Sequence, residues 1–290
     1  MLQWTCRGYA GGEVSIPQAT NRRSQSPSAL RRRESIRVLK DALAGDRLVV
    51  HYQPIVEVAS GRAVSAEGLV RWRHPDREPE ALPMLVKAAE HSRIIYVLEH
   101  WVVATCFADA ARWQKGPLPG LRVNVNLSAR EFDRAHFGDR LRAAVRKSGV
   151  DPARVTLEIT ETSAIDDPEA AGRTLDDLKK TGFEIWLDDF GTGHSTMEWL
   201  WRLPIDGLKV PETFVQDVTH DAKAAIITAA IVELAHRLGV RITAEGIETE
   251  DQRRWLADRG CRELQGFLLY QPMPADELVA RLAGAPPAPA

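Results

Sequence analysis

Short runs of Val, Ile and Leu alternate along most of the chain with longer stretches in which apolar residues recur at helical spacing. The short runs predict strands near residues 48–56, 63–71, 121–127, 154–160, 183–188, 206–210, 240–244 and 261–265. The longer stretches predict helices near residues 83–114 (two helices), 136–148, 167–181, 221–238 and 249–259, and a last one from about residue 275. Eight strands with helices between most of them indicate an α/β fold, a TIM-like (β/α)8 barrel.

The first two predicted strands are separated only by residues 59–62, which is too short for a crossover helix. We therefore expect these strands to form a hairpin, so that the barrel has an antiparallel first strand.

The residues at two predicted helix ends support the helix assignments. Pro168 suits the first turn of a helix, and Thr249 with Gln252 predicts a capping box.

The two ends of the chain differ in composition from the rest. Residues 1–33 contain six Arg and a single acidic residue, with Gly, Ser, Pro and Asn between them, which predicts a flexible basic N-terminal arm. Residues 284–290 contain only Gly, Ala and Pro and predict a disordered tail. The folded domain is therefore expected to span residues 34–283.

The whole chain has 290 residues, of which 44% are hydrophobic and 27% are charged, and a formal net charge of −2. This balance provides no basic field for duplex nucleic acid, although a small phosphate ligand is compatible with it. The three Cys form no metal-binding or disulfide pattern, which is typical of a reducing compartment. The longest uncharged apolar run, residues 224–232, is too short for a membrane span. We expect a soluble, cytoplasmic protein.

Polar residues interrupt the apolar strands near their C-terminal ends. They are Glu67, Asn126, Glu158, Asp188, Asp189, Lys209, Glu245 and Gln265. Because the C-terminal ends of barrel strands open on one face, where active sites lie, we expect these side chains to converge. Taken singly, each acidic residue is better explained as a strand-end cap or the partner of a nearby Arg than as part of a site. Their repetition on successive strands favours a site.

Five carboxylates at close quarters require protonation or bound cations. The predicted ligands are hard oxygen donors without His or Cys, which selects Mg²⁺, Mn²⁺ or Ca²⁺ over Zn²⁺, and their number suits two ions better than one. Two such ions can bind a phosphodiester oxygen, activate a water and stabilise the leaving oxygen. The residues alone therefore indicate a site for divalent ions that suits phosphodiester chemistry.

Eight short motifs occur in order along most of the chain. They are YQPI (52–55), AEGLVRW (66–72), VNLS (125–128), EITE (158–161), DDFGTG (188–193), LPIDGLKV (203–210), AEGIET (244–249) and QGF (265–267). This set resembles the EAL-domain phosphodiesterases of cyclic di-GMP signalling. The resemblance implies a TIM-like barrel with an antiparallel first strand, hydrolysis of cyclic di-GMP to linear pGpG by two-metal water attack, Mg²⁺ or Mn²⁺ as cofactor, inhibition by Ca²⁺, and a homodimer.

The resemblance also implies roles for individual residues. The metal ligands would be Glu67, Asn126, Glu158, Asp188, Asp189 and Glu245, with Asp188 bridging the two ions. Lys209 would act as general base on the attacking water, with a depressed pKa, or would orient that water; Gln265 would hydrogen-bond to the water or to Lys209. The catalytic group would then consist of Lys209, Glu67, Asp188 and Gln265.

Four further residues are assigned by the same resemblance. Arg71 would pair with a substrate phosphate, and Gln53 lies in the motif that approaches a guanine. Glu161 would anchor the DDFGTG loop, and Glu248 would have a supporting role of the same kind. The cluster around Trp199 and Trp201 follows that loop, and a helix there would expose at least one Trp as part of a dimer surface.

Three positions depart from the family pattern. Gly68 replaces the Ala of the naming motif, which is expected to loosen the strand beside Glu67. His194 stands where the family often has Tyr. Pro211 replaces an Asp two residues after Lys209 and so removes a carboxylate and an N–H near the predicted site. This last change keeps an alternative open, in which the chain is a catalytically weak or inactive EAL module that acts as a cyclic di-GMP receptor or protein-interaction regulator.

Overall fold

The computed structural model describes residues 27–73, 82, 85–86, 92–128, 136–160, 168–192 and 196–284, with side chains left out at a few of these positions. Most of the predicted N-terminal arm lies outside the described residues. So do residues 285–290 of the predicted tail, Glu161 and His194.

The strands form a closed barrel, which confirms the predicted fold class. Their bounds are β1 Leu48–Glu57, β2 Ala63–Trp72, β3 Arg122–Ser128, β4 Val155–Thr160, β5 Glu184–Asp188, β6 Gly207–Val210, β7 Arg241–Ala244, β8 Glu263–Leu264 and β9 Met273–Pro274. Strands β2 to β8 are parallel neighbours in chain order, and β1 closes the ring between β8 and β2. The strand positions predicted from apolar runs agree with these bounds to within a few residues.

Strand β1 is antiparallel to both of its neighbours in the ring, as the short connection to β2 predicts. Gly61 adopts a left-handed conformation in the turn, with a φ of 64° that favours glycine. The register places Gln53 of β1 opposite Glu67 of β2, so the hairpin brings two predicted site residues side by side.

Helices cover the outside of the barrel. Their bounds are α1 Pro27–Ala44, α2 Arg93–Gln114, α3 Phe137–Ser148, α4 Pro168–Thr181, α5 Thr196–Arg202, α6 Glu212–Val215, α7 Ala222–Leu238, α8 Glu250–Ala257 and α9 Ala275–Ala283. Helix α4 begins at Pro168, and the capping box of Thr249 and Gln252 starts α8, both as predicted. Helix α1 begins inside the segment that was expected to be a flexible arm, and its residues Leu39 and Ala42 are buried.

Helix α2 is the one helix in the described part of the chain that is long and apolar enough to cross a membrane, judged by length and composition. Half of its apolar window is buried inside the fold, with Val102, Cys106 and Phe107 among its buried residues. A core helix of a barrel passes the same test, so the composition of α2 is weak evidence for a membrane span.

The N-terminal strand ends carry a set of charges that we call the arginine layer. It consists of Arg122, Glu184, Arg241 and Glu263, the first residues of β3, β5, β7 and β8. The guanidinium of Arg122 lies 3.6 Å from Glu184 Oε1 and 3.6 Å from Glu263 Oε1. The guanidinium of Arg241 lies 3.5 Å from Glu263 Oε1 and also pairs with Glu184. The guanidinium of Arg241 stacks 4.9 Å from the ring centre of Trp186. Two guanidinium groups thus meet two carboxylates, and the layer is balanced.

Candidate active site

The predicted site residues come together at the opposite end of the same barrel. Parallel pairing places Asn126 of β3 opposite Glu158 of β4, and β5 ends with Asp188. Side chains two residues apart on a strand face the same side. The predicted site residues and the arginine layer therefore both lie in the barrel interior, at its two ends. Glu67, Glu158, Asp188, Lys209 and Gln265 are all buried.

Lys209 lies at the centre of these side chains. Its Nζ is 3.0 Å from Glu67 Oε2, 3.0 Å from Glu158 Oε2, 3.5 Å from Asp188 Oδ1 and 2.5 Å from Glu245 Oε1. We call these four carboxylates the carboxylate layer. They come from four strands or strand ends, so the barrel, not a local motif, brings them together around one ammonium group.

Two amide side chains donate hydrogen bonds to Glu67. Asn126 Nδ2 donates to Glu67 Oε1 at 2.6 Å, and Gln265 Nε2 donates to Glu67 Oε2 at 2.9 Å. Gln265 also donates to Gln53 Oε1 at 3.1 Å, and Gln53 Nε2 donates to the carbonyl of Tyr270 at 3.0 Å. Both oxygens of Glu67 are therefore fixed, and the predicted residues Asn126, Gln265 and Gln53 share one hydrogen-bonded network.

Asp188 occupies a special position between two groups of carboxylates. Oxygens of Glu67, Glu158 and Asp188 lie within 4.8 Å of one another, and so do those of Asp188, Asp189 and Glu245. Asp189 has a φ of 55°, in the left-handed region, and its backbone N–H donates to Asp188 Oδ1 at 2.9 Å. This backbone conformation turns the chain so that two consecutive aspartates can serve one site.

The carboxylate layer has far more negative than positive charge, and this changes its proton affinities. Burial, together with the neighbouring carboxylates and despite Lys209, raises the pKa of Glu158 to about 8 and that of Asp188 to about 6. The pKa of Glu245 is also raised, again chiefly by burial. For Glu67, burial opposes ionisation, but Lys209 and the hydrogen bonds from Gln265 and Asn126 outweigh it and lower its pKa.

The same charges determine the state of Lys209. Burial opposes its positive charge, but the carboxylates of Asp188, Glu158, Glu245 and Glu67 outweigh burial and raise the pKa of Lys209 well above its usual value. In this arrangement Lys209 is an ammonium group. The depressed pKa expected for a general base would require other positive charges to balance the carboxylates.

The donor set fits divalent cations. Asp188 belongs to both sets of three carboxylates, the set with Glu67 and Glu158 and the set with Asp189 and Glu245. A residue common to two sets is what a ligand shared by two ions requires. Asn126 Oδ1 is buried and has no hydrogen-bond partner in the described part of the chain, so a hard acceptor oxygen is left for a cation. The excess of carboxylates over ammonium supplies the electrostatic reason for binding one.

Two predicted residues lie at the margin of this centre. Arg71 on β2 is half-buried, and its guanidinium donates to the carbonyl of Val70 at 2.9 Å, with further N–H groups left for a ligand. Burial lowers the pKa of Arg71, and nearby Glu67 partly offsets this. Glu248 is exposed, and its backbone N–H donates to Gln252 Oε1 at 2.9 Å.

The departures at Gly68 and Pro211 have structural counterparts. A Cβ added to Gly68 would lie 2.5 Å from Cys106 Sγ of α2, so the sulfur fills the space of the missing methyl and the strand is not loosened there. Pro211 precedes α6 with a φ of −68°, which a proline ring adopts without strain. Its carbonyl accepts a hydrogen bond from Phe214 N at 3.0 Å.

Sequence reasoning missed Asn124, which donates to Glu158 Oε1 at 2.7 Å. The alternation of β3 contained the signal, because Asn124 lies two residues before Asn126 and so faces the same side. The prediction that a helix here exposes at least one Trp is confirmed. Trp201 is 79% exposed on α5, but Trp199 is buried, because the two positions lie on opposite sides of a helix. Trp186 is buried, as core packing predicts.

Comparison with known proteins agrees with this arrangement. A family model described as EAL domain matches residues 36–272. The chain is 36% identical over 260 residues to the "Bifunctional diguanylate cyclase/cyclic di-GMP phosphodiesterase MucR" of Pseudomonas aeruginosa, covering 90% of this chain and 38% of that protein. It is 34% identical over 236 residues to "Cyclic di-GMP phosphodiesterase NbdA" of the same organism, covering 81% of this chain and 30% of that protein. The chain thus spans less than half the length of these relatives.

Solved structures show the same barrel. The chain is similar to "PaMucR Phosphodiesterase, c-di-GMP complex", with a TM-score of 0.77 and 37% identity over 84% of this chain and 99% of that chain. It is similar to the EAL domain of Mycobacterium smegmatis DcpA, with a TM-score of 0.70 and 30% identity over 82% of this chain and 97% of that chain. The matched residues include every strand from β1 to β8, and the chain belongs to the EAL domain family.

Proposed function

We propose that this chain is a metal-dependent phosphodiesterase that hydrolyses cyclic di-GMP to linear pGpG by water attack assisted by two divalent ions. The observation that carries the proposal is that two sets of three carboxylates share Asp188 at the C-terminal face of the barrel. The names of the relatives MucR and NbdA, and the cyclic di-GMP complex of MucR, support this substrate.

The chain's own residues would divide the work as follows. Glu67, Asn126, Glu158, Asp188, Asp189 and Glu245 would hold the ions. Mg²⁺ or Mn²⁺ bound there supplies Lewis-acid activation of a water and of the phosphodiester oxygens. Lys209 is placed to donate hydrogen bonds and to orient the water; its pKa is raised without ions, and only the positive charge of bound ions would lower it enough for a role as base. Gln265 fixes one oxygen of Glu67 and so supports the same centre.

Substrate binding would rest on residues beside the carboxylate layer. Arg71 lies four residues after Glu67 on β2, and its free N–H groups can pair with a phosphate. Gln53 is held by the Tyr270 carbonyl and by Gln265, at the position from which the family approaches a guanine. Glu161 and Glu248 would support the neighbouring loops.

Incubation of the purified protein with cyclic di-GMP, followed by separation of the products, tests the proposal. We expect pGpG in Mg²⁺ or Mn²⁺, none after metal removal, and none from Glu67→Gln. Glu57→Gln is the matched control, because Glu57 lies at the other end of the barrel, and it should keep activity. Absence of pGpG from the wild-type protein at millimolar Mn²⁺ would overturn the proposal.

Calcium provides a second discrimination. It takes the same oxygen ligands with longer bonds and looser geometry, which spoils the in-line position of the water. We expect Ca²⁺ to bind, to raise the unfolding temperature and to inhibit turnover in Mg²⁺. Robust hydrolysis in Ca²⁺ alone would contradict the two-metal arrangement.

Pro211 carries a second candidate function, that of a cyclic di-GMP receptor with weak or no turnover. Pro211 supplies no carboxylate. The carboxylate of the following residue, Glu212, accepts a hydrogen bond from the Gln216 side chain. If a carboxylate at position 211 normally assists metal binding, Pro211→Asp should raise turnover most at low metal concentration. The receptor function predicts cyclic di-GMP binding without pGpG in both the wild type and Pro211→Asp.

We also propose that the chain forms a homodimer through α5. Trp201 and Met197 are 79% and 66% exposed on this helix, and such exposure of large apolar side chains is typical of a contact surface. Analytical ultracentrifugation should give a dimer at micromolar concentration and a monomer for Trp201→Glu. A wild-type monomer with metal and cyclic di-GMP present would remove this part of the proposal.

A further inference from the structure

The N-terminal face of the barrel, opposite the carboxylate layer, holds a cavity of about 750 Å³ that we call the basal cavity. It is lined by the β1–β2 turn, by residues 117–122 and by the first residues of β7 and β8. The predicted metal, catalytic and substrate residues do not line it. Its volume lies in the range of small-molecule sites.

The walls of the basal cavity carry more positive than negative charge. Arg62, Arg122, Arg241 and Arg262 line it, against the carboxylates of Glu57 and Glu263. Arg122 and Arg241 belong to the arginine layer and are paired, whereas the side chains of Arg62 and Arg262 are exposed and have no hydrogen bond or ion pair in the described part of the chain. The cavity therefore has two guanidinium groups that the described residues leave available to an anion.

Arg122 has one hydrogen-bond donor that the arginine layer leaves unused. Its Nε is buried and has no hydrogen-bond partner among the described residues. Burial and the nearby guanidinium groups of Arg241 and Arg154 lower the pKa of Arg122, although Glu184 and Glu263 oppose this effect. A buried donor without a partner beside like charges is a position where a bound anion gains hydrogen bonds and relieves repulsion.

Part of the lining of the basal cavity is apolar, and we call it the apolar wall. It consists of Leu118, Pro119, Leu121 and Tyr270. Gly120 lies among them in sequence and has open space around it, since a Cβ added there would meet nothing within 4 Å. The cavity therefore offers guanidinium groups for an anion and apolar side chains for a flat, apolar group.

We propose that the basal cavity binds a nucleotide-sized phosphate ester. Its phosphate contacts the guanidinium groups of Arg62, Arg262 and Arg122, and its ring system lies against Leu118, Pro119 and Tyr270. A guanidinium fork matches phosphate oxygens geometrically, which explains why arginines and not lysines form this wall.

Isothermal titration tests the proposal directly, with protein freed of divalent ions so that phosphate groups do not bind at the carboxylate layer. The probes are AMP, adenosine and inorganic phosphate. We expect AMP to bind one site per chain, and both phosphate and adenosine to bind more weakly. Arg62→Ala and Arg262→Ala should each raise the AMP dissociation constant by about fivefold or more. Arg146→Ala, an exposed arginine of α3, is the matched control and should leave it unchanged.

Gly120 supplies a variant pair with little effect on folding. Gly120→Asp places a carboxylate in the cavity and should weaken AMP binding to the same extent, whereas Gly120→Asn has the same size without charge and should not. No AMP binding at millimolar concentration, or equal binding in the Arg62→Ala, Arg262→Ala and Arg146→Ala variants, would overturn the site. Equal affinity for inorganic phosphate and AMP would overturn the role of the apolar wall.

Discussion

The barrel interior contains two charged layers built on the same strands, and they differ in one respect. In the arginine layer, two guanidinium groups meet two carboxylates. In the carboxylate layer, one ammonium meets four carboxylates. Strand β5 contributes to both, with Glu184 in one and Asp188 in the other, and Trp186 lies between them.

The difference separates a structural set of charges from a functional one. Buried charges that balance one another need no further ion for neutrality. Buried charges that do not balance must take up protons or bind ions of opposite sign, and the raised pKa values of Glu158 and Asp188 show the first of these responses. The imbalance itself, more than the presence of acidic residues, marks the site.

The largest expected effect tests this contrast by activity. Asp188→Asn removes the carboxylate common to both sets of three carboxylates. We expect hydrolysis of cyclic di-GMP to fall by more than about 100-fold, because losses up to that size are typical of residues that only support a metal ligand. Glu184→Gln, four residues earlier on β5, should retain activity within about tenfold. Steady-state rates in Mn²⁺ measure both. An Asp188→Asn variant as active as Glu184→Gln would break the comparison.

Stability in the absence of metal should change in opposite ways. Glu263→Gln leaves Arg122 and Arg241 with one carboxylate, and we expect the free energy of unfolding to fall by about 1–3 kcal/mol. Glu245→Gln leaves Lys209 with three carboxylates and removes repulsion, so the free energy should change by less than about 0.5 kcal/mol or rise. Urea unfolding of metal-free protein measures both, and a larger loss in Glu245→Gln would contradict the argument.

The pH dependence of stability sharpens the same contrast. The pKa of Glu158 is about 8 and that of Asp188 about 6 in the folded state, both above the usual values for unfolded carboxyl groups. The folded state therefore binds more protons, and this stabilising contribution is lost as pH rises through these values. We expect the metal-free protein to lose about 2–3 kcal/mol between pH 6 and pH 8. Saturating Mn²⁺ should flatten the curve, and stability that rises over this interval without metal would refute the prediction.

The smallest expected effect concerns the contact between Arg241 and Trp186. Arg241→Lys keeps the charge but loses the planar group that stacks 4.9 Å from the ring, so we expect a loss of about 0.5–1 kcal/mol. Arg237→Lys, at an exposed pair with Glu233, is the control and should change stability by less. Thermal unfolding at one pH compares the two. Equal losses would mean that the stacking contributes nothing measurable.

Much of the carboxylate layer could be predicted from the sequence, because a charged residue near the end of an apolar strand is conspicuous. The arginine layer could not be predicted in the same way. Its residues lie near the starts of the predicted strands, where a polar residue gives no sign of its partner, so only the closed barrel shows that they meet. Helix α1 was missed because Arg-rich sequence conceals the few apolar positions, such as Leu39, that pack on the barrel.

The protonation of Lys209 was also beyond the sequence. Its state depends on how many carboxylates lie within about 4 Å, and this number is a property of the folded barrel. The structure places Lys209 among the acidic residues with which the sequence groups it. The direction of its pKa shift follows only from the geometry.

The contact between Gly68 and Cys106 restricts the order in which these two positions can change in evolution or in a mutant library. Ala at position 68, the residue typical of the family, would place its methyl 2.5 Å from the sulfur. Substitution of Gly68 by Ala alone therefore requires the Cys106 side chain to move, and replacement of Cys106 by a smaller residue alone leaves a cavity behind the strand that carries Glu67. The effects of changes at the two positions are therefore coupled.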